Sequence, residues 1–124
     1  DPHSAPLGVE YFEDAHPALK NSFLVALHGS FDPNARSGYQ IVRISPDGEK
    51  EIFMDGFQHH TAKPFEVAMA SNDFMLAHLD ESESTQAEDA NERFARPVDF
   101  LEWDKNSFFF TDDFGGRLYY VYTK

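Results

Sequence analysis

A histidine at the end of an apolar run is the first residue with chemistry to offer. His28 closes the stretch Ser-Phe-Leu-Val-Ala-Leu-His over 22–28 and stands before Gly29-Ser30. An imidazole there has two outlets. It bonds a nearby carbonyl of its own fold, or it meets a carboxylate or hydroxyl of a ligand. Arg96 is the second candidate. Pro97 follows it and pushes its backbone toward an extended conformation at a strand start. Its planar fork of donors suits a carboxylate gripped by two hydrogen bonds. The same fork would serve an ion pair with Asp99, Asp112 or the acidic stretch 80–92. Arg93 is a weaker version of the same idea. His3 is the third candidate, close to the first residue, where chains are loosely held unless tied down.

Other polar groups are better read as structure. Asp112-Asp113 precede Gly115-Gly116, but adjacent side chains on a strand point to opposite faces, and calcium needs several oxygens at one point. Turn capping and surface charge are the favoured reading there. Asp32-Pro33-Asn34 with Ser37-Gly38 lacks the later bidentate acid of a calcium loop and is read as a loop. His59-His60 has no third ligand in view. The absence of cysteine excludes disulfides, thiolate zinc sites and thiol catalysis. No glycine-rich phosphate loop and no Gly-x-Ser-x-Gly elbow occurs. No catalytic residue and no metal ligand set is therefore assigned.

Strands must position these residues. Aromatic residues make up 15% of the 124 positions, with 13 Phe and 5 Tyr, and such side chains suit a pleated surface. The spacing predicts strands over 7–12, 22–28, 39–45 and 49–57, the last two joined by the turn Ser45-Pro46-Asp47-Gly48. Segments 65–69 and 74–79 flank Ser71-Asn72-Asp73 and suggest a hairpin, with a short helix over 74–79 as the alternative. The acidic tract 80–92 reads as a solvated loop. Strands follow over 98–103, 107–111 and 117–122, with the Phe108-Phe109-Phe110 run read as core. The fold class is all-β, in antiparallel four-stranded sheets arranged as β-propeller blades. About two blades and an insertion are present, in a single domain over 1–124. One blade has two apolar faces and cannot bury both by itself.

Three segments carry a family resemblance. They are His3-Ser4-Ala5-Pro6-Leu7-Gly8, then Phe23-Leu24-Val25-Ala26-Leu27-His28-Gly29-Ser30, then Arg96-Pro97-Val98 together with Thr111-Asp112-Asp113-Phe114-Gly115-Gly116. Gly38-Tyr39-Gln40-Ile41-Val42-Arg43-Ile44 fits between the second and third. In order and texture they resemble the C-terminal blades of the glucose/sorbosone dehydrogenase family. The match divides the chain into a first blade over 3–57, an insertion with a hairpin and acidic loop over 58–93, and a last blade over 94–124.

The resemblance implies a six-bladed propeller with pyrroloquinoline quinone (PQQ) over its axis and calcium polarising the quinone. It implies that the histidine base and the calcium ligands lie in earlier blades, and nothing in this chain matches them. It makes His28, Arg96 and His3 the cofactor-binding candidates. It also implies an extracellular or periplasmic location, although Asp1-Pro2-His3-Ser4 shows no signal peptide. Two functions stay open. One is part of a PQQ-dependent sugar dehydrogenase that needs additional blades. The other is a non-enzymatic carbohydrate-binding or structural module, with exposed aromatics such as Trp103 or Tyr39 stacking on sugar rings. Open blade edges and a bare apolar face predict a homo-oligomer, or a partner chain supplying the missing blades. The net charge of -12, from 22 acids against 10 bases, argues against nucleic-acid and anionic-membrane partners.

Overall fold

The structure, a computed structural model, describes residues 2–32, 34, 37–57, 68–78 and 95–124. Nine strands occur among them: β1 (Pro6–Phe12), β2 (Ser22–Leu27), β3 (Gln40–Ile44), β4 (Lys50–Asp55), β5 (Ala68–Met69), β6 (Phe74–His78), β7 (Pro97–Asp104), β8 (Ser107–Asp112) and β9 (Arg117–Thr123). The described residues contain no helix. Two antiparallel sheets result, one of five strands in the order β1-β2-β3-β4-β5 and one of four in the order β6-β9-β8-β7. The chain is all-β, with its sheets arranged as propeller blades.

The first sheet is an up-and-down meander, as the sequence predicts, with the two-residue β5 added at its edge. The hairpin expected from 65–69 and 74–79 is not formed by the described strands. β5 pairs with β4, while β6 pairs with β9 over Phe74↔Thr123 to His78↔Tyr119. The polar link between them hands the chain from one sheet to the other. That long-range ladder also overrides the helix propensity of Met75, Leu76 and Ala77. Residues 58–67 and 79–94, which include His59, His60, Arg93 and the acidic tract, lie outside the described residues.

Alternation decides which side chains meet. Phe108 and Phe110 of β8 are fully buried between the sheets, while Phe109 points the other way, beside Trp103 and Tyr120. The shared core takes Phe12, Leu24, Ala26, Ile41 and Phe53 from the first sheet, and Phe74, Phe100, Phe108, Phe110 and Val121 from the second. Burying each large aromatic is worth about 2–3 kcal/mol. The sheets approach most closely at β1 and β7. A Cβ at Gly8 would lie 2.4 Å from the Val98 carbonyl oxygen, so only glycine permits that approach.

Each sheet also carries apolar side chains on its outward face. Leu7, Val9, Tyr11, Phe23 and Ile52 are exposed on the first sheet, and Met75, Leu101, Trp103 and Leu118 on the second. Val9, Val25, Val42 and Ile52 stand side by side across four strands in register. Both faces of each sheet are apolar, as expected of blades stacked in a series.

Candidate functional site

The three segments singled out in the sequence meet at one end of the two sheets. His28 and Gly29 leave β2 beside Ser4 and Ala5, whose carbonyls accept the Gly29 and His28 N–H groups at 2.9 and 3.0 Å. Ala95-Arg96 enters β7 from the other sheet, and the β8–β9 turn, residues 113–116, lies alongside.

Arg96 ties these pieces together. Its guanidinium is buried and donates from Nε to the His28 carbonyl at 3.1 Å and from Nη2 to the Gly29 carbonyl at 2.6 Å. The guanidinium carbon lies 4.4 Å from the centroid of the Phe31 ring and 5.6 Å from that of Tyr39. Two main-chain carbonyls at the end of β2 in the neighbouring sheet thus take Nε and Nη2 of the fork.

Tyr39 is also placed differently from the expectation. It is 1% exposed, so it offers no surface to a sugar. Its hydroxyl donates to the Ser30 carbonyl, and its ring fills the space beneath Gly29. A Cβ at Gly29 would sit 2.6 Å from that ring, and Gly29 has φ +97°. The loop therefore requires glycine there. Tyr39 itself has φ +57°, which strains an L-residue.

His28 is almost fully buried, and its Nε2 lies 2.7 Å from Oδ1 of the half-exposed Asp113. An ionised carboxylate only accepts, so Nε2 carries the proton in this pair. His28 thus bonds a carboxylate of the other sheet, a partner absent from both sequence alternatives.

Asp112 caps the β8–β9 turn. Its Oδ1 accepts the N–H of Phe114 at 2.9 Å and that of Arg96 at 2.8 Å, and its Oδ2 accepts the Gly115 N–H at 3.1 Å. Burial pushes its carboxyl above the usual range, opposed by those N–H groups and by the Arg117 charge. The turn-capping reading therefore holds for Asp112. His3 is exposed with φ +65° and lies one residue from the Ser4 carbonyl that bonds Gly29. Sequence reasoning missed Phe31, which is 79% exposed over the Arg96 guanidinium. A single phenylalanine in a polar loop carries no periodic signal. No group of three or more His, Asp or Glu side chains able to hold a metal occurs among the described residues.

A family model described as TrAA12-like matches residues 1–124. The chain belongs to that family. A protein of Borreliella burgdorferi, described only as uncharacterized, is 28% identical to this TrAA12-like chain over 122 residues, covering 97% of this chain and 26% of that protein. Among solved structures, the holo form of the pyranose dehydrogenase PQQ domain from Coprinopsis cinerea matches with a TM-score of 0.51 and 22% identity. That match covers 98% of this chain and 27% of the other. At such identity the likeness is one of fold. The TrAA12-like chain spans about a quarter of the length of both matches.

Proposed function

We propose that this TrAA12-like chain is the cofactor-facing edge of a quinoprotein module of the glucose/sorbosone dehydrogenase kind, and that it supplies contacts without the catalytic base. The convergence of His3–Ala5, His28–Phe31, Arg96 and Asp112–Phe114 at one end of two blades carries this reading. When bound, the quinone would accept hydride from a sugar. His28 would offer Nδ1 as an acceptor to a sugar hydroxyl, with its ring aimed by Asp113. Arg96 would hold the end of β2 in place and lend a fixed positive charge. His3 would contribute from the rim. The positive charge of Arg96 suits a polycarboxylate ligand. The described residues do not fit calcium, and that ion would need ligands from elsewhere.

The test is a titration with PQQ and calcium, followed by visible absorbance and by dye reduction with aldoses. A spectral change without turnover is the expected outcome. No spectral change sinks the cofactor reading.

In the same reading, the two outward apolar faces are covered by further blades, from other copies of this chain or from a partner chain. Light scattering checks this, and a stable monomer as the sole species defeats the oligomer. The reading extends to an extracellular or periplasmic location, which cell fractionation tests. No helix among the described residues is long and apolar enough to cross a membrane.

A second reading rests on Trp103, which is 65% exposed and edge-on to Phe109 at 5.6 Å, with Tyr120 and Tyr122 continuing the row. Such a row suits the apolar face of a sugar ring. Flat calorimetric heats across a panel of sugars would remove this reading.

A further inference from the structure

We infer that Phe31 is a stacking platform for a flat, carboxylate-bearing ring, and that Arg96 is the positioning residue behind it. This inference rests on the cofactor reading above. Among the described residues Phe31 is the most exposed large apolar side chain, at 79%. It lies at the same end of the sheets as His28, whose ring sits edge-on at 6.2 Å. Its lower face covers the Arg96 guanidinium, whose carbon is 4.4 Å from the ring centroid. The guanidinium cannot drift, because the His28 and Gly29 carbonyls hold Nε and Nη2. The ring is therefore fixed from below while its upper face stays open.

The cation beneath decides which ligand suits that upper face. A guanidinium on one side of a phenyl ring draws π density toward itself. The opposite face becomes less negative. Sugar C–H groups favour an electron-rich face, so they gain less here. A planar ring bearing carboxylates is repelled less, and it feels the attraction of Arg96 through the ring. The observations thus favour a flat polycarboxylate over a pyranose at Phe31. Arg96 would act on the cofactor's charge through Phe31 while its own hydrogen bonds hold the backbone.

The test titrates the full chain and three variants with PQQ, reading the dissociation constant by calorimetry and the quinone absorption band. Phe31→Tyr keeps a flat ring, Phe31→Leu keeps apolar area without one, and Phe31→Ala removes both. Phe31 is exposed, so all three should fold. Phe31→Tyr should bind like the parent with the same change in the band. Phe31→Leu and Phe31→Ala should bind about five- to tenfold more weakly and lose that change. Equal affinity and an unchanged band in Phe31→Ala overturn the platform while leaving the cofactor reading intact. Equal weakening in Phe31→Tyr and Phe31→Ala also overturns it. No binding by the parent chain overturns the cofactor reading, and the platform with it.

Discussion

His28 and Asp113 stand 85 positions apart in the chain, yet Nε2 of one lies 2.7 Å from Oδ1 of the other. The contact bridges the end of β2 and the turn after β8, so it reports whether the two sheets are docked. Asp113→Asn keeps an acceptor for Nε2 and should cost about 0.5 kcal/mol. Asp113→Ala leaves a buried imidazole without that partner and should cost about 1–2 kcal/mol. Urea denaturation midpoints measure both; equal costs would show that a neutral acceptor contributes nothing without the charge, and unchanged midpoints would show that the contact is dispensable.

Arg96→Lys keeps the positive charge but not the fork that reaches two carbonyls. A loss of about 2–3 kcal/mol is expected, read as a fall in Tm of roughly 10 °C. If charge alone mattered, the lysine variant would melt with the parent.

Asp112 gives a pH-dependent prediction with an unusual sign. Burial raises its folded pKa above the unfolded value, so the folded state binds the proton more readily. Its contribution is fully present below about pH 3.8, the ordinary carboxyl value. It declines as pH rises through the folded pKa. Asp112→Asn titrates in neither state, and it cannot accept the Gly115 N–H through its amide nitrogen. The variant should be about 1–2 kcal/mol less stable than the parent at low pH, with a smaller deficit at neutral pH. Denaturation between pH 3 and pH 7 checks the trend, and a deficit that grows with pH would contradict it.

Glu102 is likewise raised, first by partial burial and then by the charges of Glu10, Asp14 and Glu13. By the same sign, its ionisation weakens the fold as pH rises above the ordinary value of 4.5. Glu102→Gln should therefore stabilise the chain at neutral pH. The group is largely solvated, so screening limits the gain to about 0.5 kcal/mol or less. The gain should vanish near pH 4 and shrink in high salt. Thermal melts across pH and ionic strength read this directly.

The strands were legible because their signals are local. The Phe108-Phe109-Phe110 run reads as strand and core, and Phe108 and Phe110 are core while Phe109 points outward; Ser45-Pro46-Asp47-Gly48 predicts its turn, which is found. Strand partners were not legible. Nothing within 74–78 says that its ladder is completed by 119–123 instead of by its neighbour in sequence. The site shows the same division. The residues that converge were readable as segments, but their bonding was not. A guanidinium beside a strand looks the same in sequence whether it grips a ligand carboxylate or the carbonyls of His28 and Gly29. Tyr39 was misjudged because its burial depends on Gly29, ten residues earlier, leaving room for a ring.

The pairing of β6 with β9 also bears on how the chain is made. Residues 74–78 leave the ribosome before the strand at 117–123 exists. At synthesis rates of about 5–20 residues per second, the gap lasts roughly two to nine seconds. Throughout that interval β6 lacks its partner on β9, and its main-chain groups are open to any passing strand. In the second sheet, translation runs against the order of pairing. The newborn polypeptide carries an adhesive seam until Arg117–Thr123 emerges to seal it.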